Sequence, residues 1–94
     1  MPYIKPEYRG WIDIGISELL DPIEIDESDK DGKLNYAITR LIDELYEPSY
    51  SQYNRAIGVL ECVKLELYRR LVAPYEDTKI SENGDVYIGL LKES

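Results

Sequence analysis

Ninety-four residues with 44% hydrophobic and 32% charged content make one folded domain, residues 1–94, and exclude a chain that is disordered over most of its length. The net charge of −8 disfavours direct nucleic-acid binding, which needs clustered Lys and Arg. No apolar run reaches the ~20 residues that span a bilayer, Met1 to Arg9 has no basic stretch leading into an apolar one, and the single Cys62 cannot build a disulfide framework.

The expected location is therefore the cytoplasm. The aromatic set is unusual, with nine tyrosines, one tryptophan and no phenylalanine. A tyrosine hydroxyl wants a partner when buried, so in a thin domain most rings should lie near the surface. That placement suits either interfaces and pockets or simply the rim of a core.

Residues 6–20 carry two periods. Tyr8, Ile12, Ile16 and Leu19 have helical spacing, whereas Ile12, Ile14 and Ile16 alternate like a strand. Pro6 suits a first helical turn, and helix is preferred. Asp21-Pro22 should end it. An acidic connector, residues 21–32, follows.

The second helix is expected over residues 33–46. Leu34, Ile38, Leu41 and Leu45 step by four, three and four and line one face. Arg40 and Glu44 should pair across one turn, and Pro48 stops the helix. Ser49 and Gln52 have capping-box spacing for a third helix running from about Tyr50 to Val72, roughly 30–35 Å long. Its stripe, Tyr53, Ala56, Leu60, Val63 and Leu67, is widened by Ile57, Val59 and Leu71. Two shorter helices cannot cover so wide a surface, which predicts self-association as a dimer or larger oligomer. Ala73-Pro74 should close the third helix. In the tail, residues 75–94, Asn83-Gly84 gives either a type I′ hairpin pairing Ile80 with Tyr87 or a plain loop. The expected fold is mainly α, a three-helix small domain with a long third helix and this hairpin or loop at its C-terminus.

Chemistry-bearing motifs are few. Glu27, Asp29, Asp31 and Gly32 imitate part of a calcium loop, but Ile38 stands where the bidentate Glu belongs. The preferred reading is an acidic first turn, with Asp29 or Asp31 capping the second helix. Histidine is absent, which removes the commonest general base and zinc ligand. Cys62 has no neighbour to activate it and reads as a small core residue. No catalytic residue, metal or cofactor is implied.

Two polar clusters stand out: Asn35, Tyr36 and Arg40 in the second helix, and Tyr53, Asn54 and Arg55 in the third. Such residues can stack on and hydrogen-bond a small planar anion, with Arg40, Arg55 or Arg69 meeting its oxygens. The simpler reading of Lys64, Arg69 and Arg70 is that they complement the helix dipole and pair with Glu61 and Glu66.

The opening Met1–Lys5, Leu34–Leu41, the block Tyr50–Arg70, Ala73–Asp77 and Glu82–Tyr87 together resemble a family of short uncharacterised proteins encoded by bacteriophages and bacteria. The resemblance covers nearly the whole chain and implies no catalytic residues. It implies a phage-type accessory protein working in the host cytoplasm. The functional expectation is a non-enzymatic oligomer that sequesters a small nucleotide-like host signal. The alternative is an adaptor or inhibitor that meets a host protein through an acidic, tyrosine-rich surface.

Overall fold

The computed structural model describes residues 1–89. A short 3-10 turn, Pro6–Tyr8, leads into α1 (Gly10–Glu24). A second 3-10 turn, Glu27–Asp29, leads into α2 (Lys30–Leu45). Then come α3 (Tyr50–Leu67), a π-helical segment (Tyr68–Val72) and α4 (Ala73–Asn83). Among the described residues there is no strand, and no helix is long and apolar enough to cross a membrane. The chain divides into two units, Met1–Val59 and Leu60–Ser94, with the division falling inside α3.

In the first unit the ambiguous segment is helical. Arg9 accepts the first α1 bond, from the Asp13 N–H at 2.8 Å. Asp21-Pro22 does not end α1, contrary to the expectation. Pro22 sits inside the helix, which runs on to Glu24 and closes with the Ile25 N–H on the Asp21 carbonyl at 3.1 Å. A proline within a helix removes one intrahelical bond. Only the last turn lies beyond this one, and that turn carries Ile23, one of the two buried residues among those described.

The acidic connector shrinks accordingly to residues 25–29. Asp26, extended at φ −144°, caps it: its Oδ1 accepts the Ser28 N–H at 3.0 Å. Neither Asp29 nor Asp31 does the capping. Asp29 occupies the N-cap position of α2 without a side-chain cap bond. Its carboxylate lies over Gly32 instead, where an added Cβ would meet Oδ1 at 2.5 Å.

α2 ends as Tyr46 turns extended and donates its N–H to the Ile42 carbonyl at 3.0 Å. The expected cap then starts α3: the Gln52 N–H donates to Ser49 Oγ at 3.2 Å. The Arg55 guanidinium stands 5.9 Å from the centroid of the Tyr46 ring, a cation–π contact that ties the two sides of this corner. Ala56 is the second buried residue.

The second unit is one helical run as far as Asn83. Ala73-Pro74 does not close the third helix as expected. The backbone stays right-handed helical through Leu67, Val72 and Ala73, and the wide π turn closes with the Ala73 N–H on the Tyr68 carbonyl. The physical reason lies in Pro74. Its ring would clash with the carbonyl one α-turn earlier and it has no N–H to offer. A π turn shifts the bonding by one residue and lets the helix continue.

Among the described residues the C-terminal hairpin is likewise absent. Ile80 belongs to α4, and Asn83 is its last residue. Gly84 adopts φ +89° and donates its N–H to the Ile80 carbonyl at 2.8 Å. Asn-Gly thus terminates a helix here, where glycine supplies the positive φ that a side chain would resist.

Candidate functional site

The candidate site is a groove of about 770 Å³ in the first unit, between α1 and α2. Leu19, Pro22 and Ile23 form its α1 wall, and Tyr36, Ala37 and Leu41 its apolar α2 wall. The helix spacing explains the set. Leu19, Pro22 and Ile23 are three and four apart, as are Lys33, Tyr36, Ala37, Arg40 and Glu44, so each set projects from one face.

The face of α2 that lines the groove is not the apolar stripe read from the sequence. The stripe Leu34, Ile38, Leu41 and Leu45 is centred roughly a third of a turn away at 100° per residue. All four are exposed, and only Leu41 reaches the groove.

The groove's charges are balanced between Asp29, Lys33, Arg40 and Glu44. Lys33 is half-buried and donates from Nζ to the Asp26 carbonyl at 2.7 Å. The Arg40 Nη2 donates to Glu44 Oε1 at 3.0 Å, the pairing expected from the sequence. Both of those side chains are exposed, so the pair adds only a few tenths of a kcal/mol. The Arg40 guanidinium is therefore free to exchange Glu44 for a stronger anion at little cost. Asp26, behind Lys33, has its carboxyl held below the usual value of 3.8, chiefly by the backbone N–H of Ser28.

The sequence-predicted site residues do not converge. Tyr36 and Arg40 line the groove, whereas Asn35 does not. Asn35 accepts the Thr39 hydroxyl at its carbonyl, at 2.8 Å. Tyr53, Asn54 and Arg55 are exposed on α3 and do not line the groove, and Arg55 faces the Tyr46 ring. Arg69 lies on the π segment and pairs with Glu66, while Lys64 pairs with Glu61 at 3.0 Å. Those basic groups thus act as helix-surface partners of the glutamates. Sequence reasoning missed Lys33, Leu19, Pro22 and Ile23. The signal for Lys33 was its spacing of three and seven from Tyr36 and Arg40.

Cys62 is exposed, not a core residue. It is one of many side chains on α3 that this chain leaves uncovered. Among the described residues no three carboxylate or thiol groups gather to hold a metal ion.

A second cavity, about 360 Å³, lies where the N-terminal arm crosses α1 and is lined by Tyr3, Ile4, Arg9, Ile12, Asp13 and Ile16, with Pro2. Arg9 holds this arm, donating from Nε and Nη2 to the Ile4 carbonyl at 2.9 and 2.7 Å.

Neither a curated protein nor a solved structure matches the chain. A family model does, over residues 1–86, and its description is a domain of unknown function (DUF6899). With the match spanning both helices of the groove, the arm and the whole of α3, the chain belongs to the DUF6899 family.

Proposed function

We propose that this chain is a non-enzymatic, self-associating binding protein of phage type, acting in the host cytoplasm. In this reading the α1–α2 groove takes a small planar anion of nucleotide-like chemistry. The observation that carries it is the exposure of the apolar side chains. Among the described residues only Ile23 and Ala56 are buried, and no large side chain is fully buried. Along α3, Ile57 is 64% and Val63 56% exposed, with Leu60, Leu65 and Leu67 also in water.

Burying one such side chain stabilises by about 1.5–3 kcal/mol. A chain that leaves them all in water forgoes most of what holds a small domain together. A second copy is the simplest source of the missing cover. α3 also carries balanced charges, Arg55 and Lys64 against Glu61 and Glu66, so two copies can meet there without like-charge opposition.

The groove supports the ligand half. It offers an apolar floor for a planar ring, the exposed Tyr36 ring for stacking, and Arg40 for an oxyanion. Without histidine or a paired nucleophile, binding is a better account of these groups than turnover.

Isothermal calorimetry of the full chain with a panel of linear and cyclic nucleotides tests the ligand. A member of the panel should bind, and Arg40→Ala should weaken it at least tenfold while Arg55→Ala leaves it unchanged. No heat from any nucleotide, or equal loss in both variants, removes the groove from the account.

A further inference from the structure

The face of α1 turned away from the groove carries a second seam. Trp11, Ile14, Glu18 and Asp21, continued by Ile25 at the helical C-cap of α1, step by three, four, three and four, roughly half a turn from Leu19 and Ile23. Trp11 is 88%, Ile14 52% and Ile25 84% exposed. Glu18 and Asp21 stand exposed between these apolar ends, and among the described residues neither has an ion-pair partner.

Charge decides what can cover this seam. From Gly10 to Glu24 the helix has four acids, Asp13, Glu18, Asp21 and Glu24, and no Lys or Arg. Pairing α1 with α1 of a second copy would set acid against acid. Like-charge juxtaposition costs affinity and selects against such a partner. α3, with its balanced charges, suits a second copy; α1 laid against α1 does not.

We propose that the outer seam of α1 docks an amphipathic helix of a different protein, one presenting apolar side chains on either side of a central Lys or Arg pair. Trp11 is the anchor, being a large ring able to lose most of its exposed surface on binding. Ile14 and Ile25 extend the apolar contact at the anchor spacing of helix-against-helix recognition. Glu18 and Asp21 accept charge-assisted hydrogen bonds from the partner's cations and fix its register. This inference stands independently of the groove and its ligand.

Trp11 is the only tryptophan, so its emission reports on this face alone. Three synthetic helical peptides serve as probes on the full chain: one with a Leu seam interrupted by Lys, one with Glu for each Lys, and one with Ser for each Leu. The Leu/Lys peptide should blue-shift Trp11 emission and bind at least tenfold tighter than the other two. Ile14→Ser with Ile25→Ser should lose at least tenfold of that affinity, with unchanged far-ultraviolet circular dichroism. Glu18→Lys with Asp21→Lys should transfer the preference to the Leu/Glu peptide. Equal binding of the Leu/Lys and Ser/Lys peptides would reduce the effect to charge alone and overturn the proposal. So would an emission that stays unshifted, or one that blue-shifts with protein concentration before any peptide is added, which would place a second copy on the seam.

Discussion

The guanidinium of Arg9 forks onto the carbonyl of Ile4, with Nε at 2.9 Å and Nη2 at 2.7 Å. The residues between them are shaped for it. Pro6 fixes the start of the 3-10 turn, and the Tyr8 N–H closes on the Lys5 carbonyl at 2.9 Å. The arm from Pro2 to Ile4 is thereby held beside Ile12 and Ile16. Arg9→Ala should release it. Hydrogen bonds this exposed are each worth about 1 kcal/mol or less, so the melting point should fall only slightly. The sharper readout is amide exchange at Tyr3 and Ile4, which should speed up at least tenfold, with partial protection kept in Arg9→Lys. Unchanged exchange in Arg9→Ala would mean that the arm is held by something else.

Asp26 should titrate below the ordinary carboxylate value of 3.8, because its charged form accepts the Ser28 N–H. A depressed folded pKa means that the group favours the folded state above its unfolded pKa. That contribution is lost as pH falls through the folded value. The carbon shift of the Asp26 carboxyl and the proton shift of the Ser28 amide should therefore move together, at a pH below 3.8. Asp26→Asn should abolish the step in the Ser28 amide. A midpoint at or above the ordinary value would contradict the cap.

Pro74 is the cause assigned to the π turn at Tyr68–Val72. Pro74→Ala restores an N–H and removes the ring clash, so the segment should revert to regular α-helix. An internal proline costs a helix about 3 kcal/mol before relaxation. Since the π turn already relieves part of that, a gain of roughly 1–2 kcal/mol is expected from thermal unfolding. Backbone carbon shifts would show the change of turn directly. A π segment that survives Pro74→Ala would mean that packing around Tyr68 or Val72 imposes it.

Ser49→Ala should cost about 1 kcal/mol, the usual loss of an N-cap hydroxyl. Ser49→Asp should restore most of it, because Asp can accept the same Gln52 N–H now bonded to Ser49 Oγ. Urea titration of the three proteins checks both. An Ala variant as stable as wild type would show that the Tyr46–Arg55 stack alone fixes this corner.

Local chemistry was legible in the sequence wherever one residue pair settles it. Ser49 with Gln52, Arg40 with Glu44, Glu61 with Lys64 and Glu66 with Arg69 are all where their spacing put them. The helical reading of residues 6–20 held from Gly10 onward, with Pro6–Tyr8 forming a separate 3-10 turn, since three isoleucines on alternate positions also fit a helix that is apolar on more than one face.

The stop signals were less reliable. Pro22 and Pro74 both lie in helices, one within the last turns and one after a widened turn. Asn83-Gly84 reads equally as a hairpin turn or a helix end, because both need a residue at positive φ; the helix-forming run Ala73–Asn83 decided it. Of the residues singled out in the sequence, Tyr36 and Arg40 line the groove, and Lys33, which lines it as well, was not among them. On α2 the groove is lined by Lys33, Tyr36, Ala37, Arg40 and Glu44, and of the leucine stripe only Leu41 joins them.

Sedimentation equilibrium of the full chain at micromolar concentration decides whether the protein self-associates. The mass should be an integer multiple, two or greater, of the 10.9 kDa chain. Ile57→Glu with Val63→Glu on α3 should bring it to a single chain with a lower, concentration-independent melting point. A wild-type mass of one chain, with cooperative melting independent of concentration, would contradict the account.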